Sequence, residues 1–193
     1  MIGVLALQGA VQPHLRALSA HGLDARAVAD VGAIGDCNGL VLPGGESTVQ
    51  RLLVERFALG EALDGLWRAG KPVLATCAGL IVAVQRGWLD ARVRRNGYGT
   101  QLDSFIATPT AMAADGELGE PQPFIRAPRV QRVGARAEVL ARLDGDAVLL
   151  RQGAVWAATF HPELTGSAVL HGRVFSASLE AQHPERPWRD LLG

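Results

Sequence analysis

Lysine occurs once in these 193 residues, at Lys71, tyrosine once and cysteine twice, while 19 acidic side chains cancel 19 basic ones. Each shortage excludes something. A chain without net charge has no global field to recruit a nucleic acid or a membrane surface, so partners must be recognised locally. Its basic residues, nearly all arginine, are scattered along the sequence. Cys37 and Cys77 are too few for a disulfide framework and lack CxxC spacing, so no metal site is expected and a reducing compartment is. The longest apolar run, Pro72 to Val84, is too short to span a bilayer, and Met1–Leu7 lacks the basic flank of a signal peptide. A soluble, cytoplasmic protein is expected. At this length, a hydrophobic content of 48% supports one substantial core, hence a single domain over residues 1–193.

What is present is an alternation of short apolar runs with helical patterns. Ile2–Leu7 reads as a strand ended by Gln8-Gly9, followed by a helix with Val11, Leu15 and Leu18 on one face. Ala25–Ala29 and Gly39–Leu42 are further strands, the latter stopped by Pro43-Gly44-Gly45. Ser47 with Gln50 fits a capping box for a helix through Leu52, Leu53 and Phe57, and another helix is expected over Leu63–Ala69. This order predicts a three-layer α/β fold, a mostly parallel central sheet with helices on both faces. Strands dominate the second half, at Gln101–Ala107, Gln122–Ala127 and Ala137–Leu140, with a turn at Arg95–Gly99 and an exposed loop at Pro109–Pro123. Ala147–Arg151 and Val155–Phe160 form a hairpin through Gln152-Gly153-Ala154. A closing helix covers Ala168–Leu179, and the tail after His183 is expected to fray.

The stretch Lys71–Ile81 organises the chemistry. It is a buried strand that turns sharply into a helix at Cys77, among the small residues Ala75, Ala78 and Gly79 that a nucleophile elbow requires. A sulfur there lies at the C-terminal edge of the sheet, where open α/β sheets build their sites, and the helix N-terminus favours thiolate over thiol. Taken alone, a lone cysteine is more often a buried core residue. His161, directly after the last apolar strand, would share that edge, and an extended chain through Pro162 lets Glu163 point the same way. The three make a Cys/His/Glu arrangement for acyl transfer. The N–H of Ala78 is one oxyanion donor; Gly45 is a second candidate, weighed equally against a simple tight turn.

Six segments carry a resemblance: Leu5–Gly9, Leu42–Thr48, Thr76–Ile81, Arg95-Asn96, Phe124–Pro128 and Thr159–Thr165. The cysteine elbow and His-x-Glu resemble class I glutamine amidotransferases. Pro-Gly-Gly-Glu-Ser-Thr, Ile-Arg-Ala-Pro and His-Pro-Glu-Leu-Thr narrow this to the glutaminase subunits of pyridoxal 5′-phosphate synthase. The resemblance implies a flavodoxin-like fold of the class I amidotransferase kind. It implies hydrolysis of L-glutamine through a thioester on Cys77, with His161 as base and then acid and Glu163 as its orienter. It also implies that Gly45, Glu46, Ser47, Arg95, Ile125 and Arg126 hold the glutamine. The partner implied is a (β/α)8-barrel synthase subunit that receives the ammonia and activates the glutaminase, with the Gln8-Gly9 loop taking part. The chain itself would need no cofactor. A glutaminase for another synthase, such as that of histidine biosynthesis, would carry the same triad, and a catalytically silent module of the same fold is the alternative of another class. Three features depart from the family pattern: Ala75 where Gly is usual, Thr100 where Arg is usual, and a shortened stretch between Leu80 and Arg95.

Overall fold

In the computed structural model, which describes residues 1–175, the first half follows the expected alternation. β1 (Ile2–Leu5), α1 (Val11–Ala20), β2 (Ala25–Val28), α2 (Val31–Gly35) and β3 (Gly39–Leu42) come first. α3 (Ser47–Arg56), α4 (Gly60–Arg68), β4 (Val73–Thr76) and α5 (Ala78–Gln85) follow. The second half holds β5 (Ala91–Arg94), β6 (Phe105–Ala107), β7 (Thr110–Ala111), β8 (Gln122–Phe124) and β9 (Arg129–Val133). It closes with β10 (Glu138–Leu143), β11 (Asp146–Gln152), β12 (Val155–Ala158) and α6 (Val169–Val174).

Eight strands form one sheet in the order β2-β1-β3-β4-β12-β11-β10-β7. The five from β2 to β12 are parallel, and the remaining three are antiparallel. Alternation along the strands sends Leu40, Leu42, Val73 and Ala75 to one face, packed with Ile34 of α2, Val54 of α3, Leu63 of α4 and Leu80 of α5. Ile2, Val4, Val41 and Leu74 go to the other, under Leu18 of α1 and Leu170 of α6. This is the layered fold the sequence predicts. Every residue of β3, β4 and β12 is buried, as strands covered on both faces must be. The hairpin of β11 and β12 forms as expected. Among the described residues, no helix is long and apolar enough to cross a membrane.

Several details differ. β1 ends at Leu5, two residues early, because the chain swings into the Gln8-Gly9 turn, where Gly9 has φ +108°. The capping box at Ser47 does not form. Glu46 is the N-cap residue, without a side-chain cap, and Ser47 is a buried first-turn residue. The Gln50 amide is used elsewhere, donating to Gln8 O at 3.1 Å and Pro43 O at 3.0 Å, two carbonyls that would otherwise lack a partner in a tight loop crossing. α2 is unanticipated; its N-cap Asp30 accepts from the Ala33 N–H at 2.8 Å. So is the antiparallel ribbon of β5 and β9, whose alternating arginines look like loop. Gln101–Asp103 is a 3-10 turn, leaving only Phe105–Ala107 as strand. Thr100 caps that turn, its N–H and hydroxyl both on Asp103 Oδ2 at 2.7 and 2.8 Å, which gives this departure from the family pattern a structural use. The expected strand Gln122–Ala127 stops at Phe124, and the loop Pro109–Pro123 contains β7 and a 3-10 turn at Ala114–Gly116. The closing helix runs from Val169 to Val174 with Phe175 as its C-cap; the rest of the expected span to Leu179, and the tail after His183, lie outside the described residues.

Gly79 permits the strand-to-helix crossing, since a Cβ there would run into the Leu42 carbonyl oxygen of the adjacent strand. Gly79→Ala is therefore expected to destabilise the chain by about 1–3 kcal/mol, measured as a lowered urea midpoint at unchanged slope.

Candidate active site

Sheet register brings the chemistry together. β4 and β12 are adjacent and parallel, with Thr76 opposite Ala158, so the residues that leave both strands emerge at one edge. The Cys77 N–H bonds Ala158 O at 2.8 Å, and Cys77 then takes φ +48°, a left-handed conformation costly for any residue but glycine. That bend aims the side chain outward from the start of α5, whose first N–H groups have no intrahelical acceptor. Three residues past β12, His161 is fixed by its own N–H on Pro123 O at 2.9 Å. Ring contacts reinforce this: Phe124 stacks on Phe105 at 4.9 Å and meets Phe160 at a tilt at 5.5 Å, tying the end of β8 to the residues that follow β12.

His161 Nδ1 lies 2.7 Å from Glu163 Oε1, and the Cys77 side chain is the ring's other polar neighbour. His161 and Glu163 are both buried. Burial alone would make the imidazole less basic, but the hydrogen bonds to Cys77 and Glu163 and their charges outweigh it and push it up to about 10. The pair thus keeps a proton ready on the ring. Pro162–Leu164 is a 3-10 turn and not extended chain, yet Glu163 still reaches the ring from two residues away.

Cys77 opens onto a cavity of about 240 Å³. Gly45, Glu46, Ser47, Ala78, Arg95, Ile125, Arg126 and His161 all face it, and Glu163 stands behind His161. The Cys77 sulfur lies 3.8 Å from Ile125 O. Arg126, at φ +46°, turns the chain after β8 so that its guanidinium reaches Glu46 Oε1 at 3.4 Å. Arg95 contacts Glu46 Oε2 at 3.3 Å and Thr48 Oγ1 at 2.6 Å. One carboxylate between two guanidiniums offers both signs of charge within a pocket the size of a small amino acid.

Five lining residues, Gln8, Ile81, Asn96, Gln101 and Pro128, are not among the site residues expected from the sequence. Gln8 is integral to the loop pair: its Oε1 accepts the Glu46 N–H at 2.7 Å, and a Cβ on Gly45 or Gly9 would strike Gln8 Oε1 or Gly44 O respectively. Gly9 and the Gly44-Gly45 pair carry that signal in the sequence, Asn96 lies beside Arg95 in a segment that carries the resemblance, and Gln101 has no such mark. Gly44 is equally constrained, for a Cβ on it would lie 2.5 Å from His161 Cε1 and 3.5 Å from the Cys77 Cβ. Gly44→Ala must displace the imidazole, and a roughly 100-fold loss of turnover in an intact fold is the expected result, measured by steady-state kinetics beside circular dichroism.

This site sits in a chain with clear relatives. Residues 4–177 match the family model described as the SNO glutamine amidotransferase family. The chain is 44% identical to "Pyridoxal 5'-phosphate synthase subunit PdxT" of Streptomyces coelicolor, over 94% of each chain. It is 41% identical to the protein of the same name in Shouchella clausii, over 88% of this chain and 91% of that one. A crystal structure of a glutamine amidotransferase superposes with TM-score 0.81 at 36% identity, covering 90% of this chain and 96% of that one. A putative GMP synthase protein from Thermoplasma acidophilum, at TM-score 0.70 and 19% identity over 95% of this chain and 97% of that one, shares the fold. The family match runs across the elbow, the Pro-Gly-Gly loop and the His-x-Glu turn, and the chain belongs to the SNO glutamine amidotransferase family.

Proposed function

We propose that this chain is the glutaminase subunit of a pyridoxal 5′-phosphate synthase. It hydrolyses L-glutamine and passes the ammonia to a partner synthase subunit. The observation that carries the reading is the placement of His161 between Cys77 and Glu163 at the wall of a cavity bearing Glu46, Arg95 and Arg126. The names of its relatives in Shouchella clausii and Streptomyces coelicolor supply the pathway.

In this reading the Cys77 sulfur attacks the γ-carbonyl carbon of glutamine, and the oxyanion is received by the N–H groups of Ala78 and Gly45. As the C–N bond breaks, His161 gives its proton to the departing nitrogen, leaving ammonia and a γ-glutamyl thioester. Water then attacks the thioester, His161 takes a proton from it, and the C–S bond breaks to release glutamate. Glu46 is suited to the ammonium of the substrate and Arg95 and Arg126 to its carboxylate, with Ser47 and Ile125 closing the pocket. Free ammonia would be mostly protonated in neutral water and lose its nucleophilicity, which is the chemical reason for delivery through a protein path. A (β/α)8-barrel partner, a single catalytic domain and a reducing cytoplasm that keeps Cys77 as a free thiol complete the proposal.

The test is release of ammonia and glutamate from L-glutamine by the purified chain, alone and with a vitamin B6 synthase subunit. Turnover that rises with the partner supports the reading. Stimulation only by the cyclase of histidine biosynthesis would redirect the pathway, and none at all under either condition would point to a silent module.

A further inference from the structure

A second buried polar chain continues behind Glu163, unused by the chemistry above. His14 of α1 and His171 of α6 are both fully buried, and His14 Nδ1 lies 2.8 Å from His171 Nε2. The other nitrogen of His14, Nε2, is 3.1 Å from Thr76 Oγ1 and 3.5 Å from Glu163 Oε2. That carboxylate oxygen has no hydrogen-bond partner among the described residues, and neither has His171 Nδ1. The groups facing Glu163 are His161 and His14; those facing His14 are Glu163, His171 and, further off, His161; His171 also faces His21.

The tautomer follows from the Glu163 end. A lone pair on His14 Nε2 would oppose a carboxylate lone pair, so that nitrogen carries the proton, and His14 Nδ1 accepts from His171 Nε2–H. Burial holds both rings neutral: desolvation first, then His171 and His161, keeps His14 well below the ordinary imidazole range, and desolvation with His21 keeps His171 at about 3. We infer that His14, locked by His171 with its proton on Nε2, is a positioning residue that holds Glu163 Oε2 and thereby sets the orientation of His161. Thr76, at the last position of β4, shares that proton and links the device to the strand leading into Cys77. The inference rests on the glutaminase reading for its kinetic consequence, but not for its proton assignment.

The first measurement therefore needs no turnover. Long-range proton–nitrogen correlation spectra of the chain labelled with 15N-histidine should show His14 neutral, protonated on Nε2 and bare on Nδ1, from about pH 6 to about pH 9. A proton on His14 Nδ1, or a charged ring, would overturn the inference even if the enzyme is active; a wild type that turns over no glutamine would sink the glutaminase reading and leave this assignment standing. The second measurement is kinetic, with the partner subunit present. His14→Leu takes away the polar group that faces this buried carboxylate oxygen at 3.5 Å, which favours protonation or displacement of Glu163. The expected result is a roughly tenfold lower kcat at nearly unchanged KM, with the alkaline limb of kcat/KM moved to lower pH. His14→Gln retains an N–H and should recover most of both. Equal losses in the two variants, or a loss confined to KM, would overturn the positioning role.

Discussion

Cys77→Ser should reduce glutamine hydrolysis by roughly 10⁴-fold or more while leaving the fold and partner binding nearly untouched. The substitution replaces one atom in a side chain that is nearly buried, at a backbone conformation, φ +48°, that serine adopts at no greater cost than cysteine. No packing contact of any size is lost, so the melting temperature should move by no more than a few degrees. The chemistry changes because a hydroxyl at neutral pH is not ionised beside an imidazole, and the ready nucleophile disappears. Binding of glutamine should survive, since Glu46, Arg95 and Arg126 line the cavity independently of the sulfur. Near-normal turnover in the variant would overturn the assignment of the nucleophile. Loss of turnover together with loss of cooperative unfolding would mean that Cys77 has a structural role the geometry does not suggest.

The elbow was legible in the sequence for a physical reason: few residues fit between a buried parallel strand and a helix that nearly touches its neighbour strand, and Ala75, Ala78 and Gly79 meet that demand. The parallel strands were legible too, as uninterrupted apolar runs. What escaped the sequence depends on long-range demands. Ser47 and Gln50 have the spacing of a capping box, but the carbonyls of Gln8 and Pro43 compete for the Gln50 amide and win, because the loops they belong to cross in the interior. α2 is five residues long, too short for periodicity to register, and β5 and β9 pair through arginine-rich strands that resemble solvated loop. Arg126 was legible as a site residue only through a motif; its left-handed backbone, which brings the guanidinium to Glu46, leaves no mark on local pattern. His14 and His171 are 157 positions apart, and nothing in either neighbourhood announces that α1 and α6 bring their rings together.

Glu163→Gln is expected to lower kcat on the order of 10³-fold, with little change in KM, because the residue touches His161 and not the cavity. Its effect on pH dependence is the sharper test. In the folded chain His161 is pushed up from 6.5 to about 10, burial opposing and Cys77 and Glu163 prevailing. A group whose folded value is raised contributes stability that is complete below its unfolded value and drains away as pH rises through its folded value. The charged imidazole therefore supports both the fold and the protonation of departing ammonia from neutrality up towards about pH 10, and kcat/KM should hold across that window before falling. An amide in place of the carboxylate removes the negative charge but not the bulk, so the alkaline limb should descend towards neutral pH. Over the same window the stability of the variant should lose the part of its pH dependence that Glu163 supplies and keep the part due to Cys77. The measurements are kcat/KM against pH with the partner subunit present, and urea unfolding of both chains at matched pH values. An alkaline limb unmoved by the substitution would mean that Glu163 does not support the His161 proton, and that the ring is held by the sulfur alone.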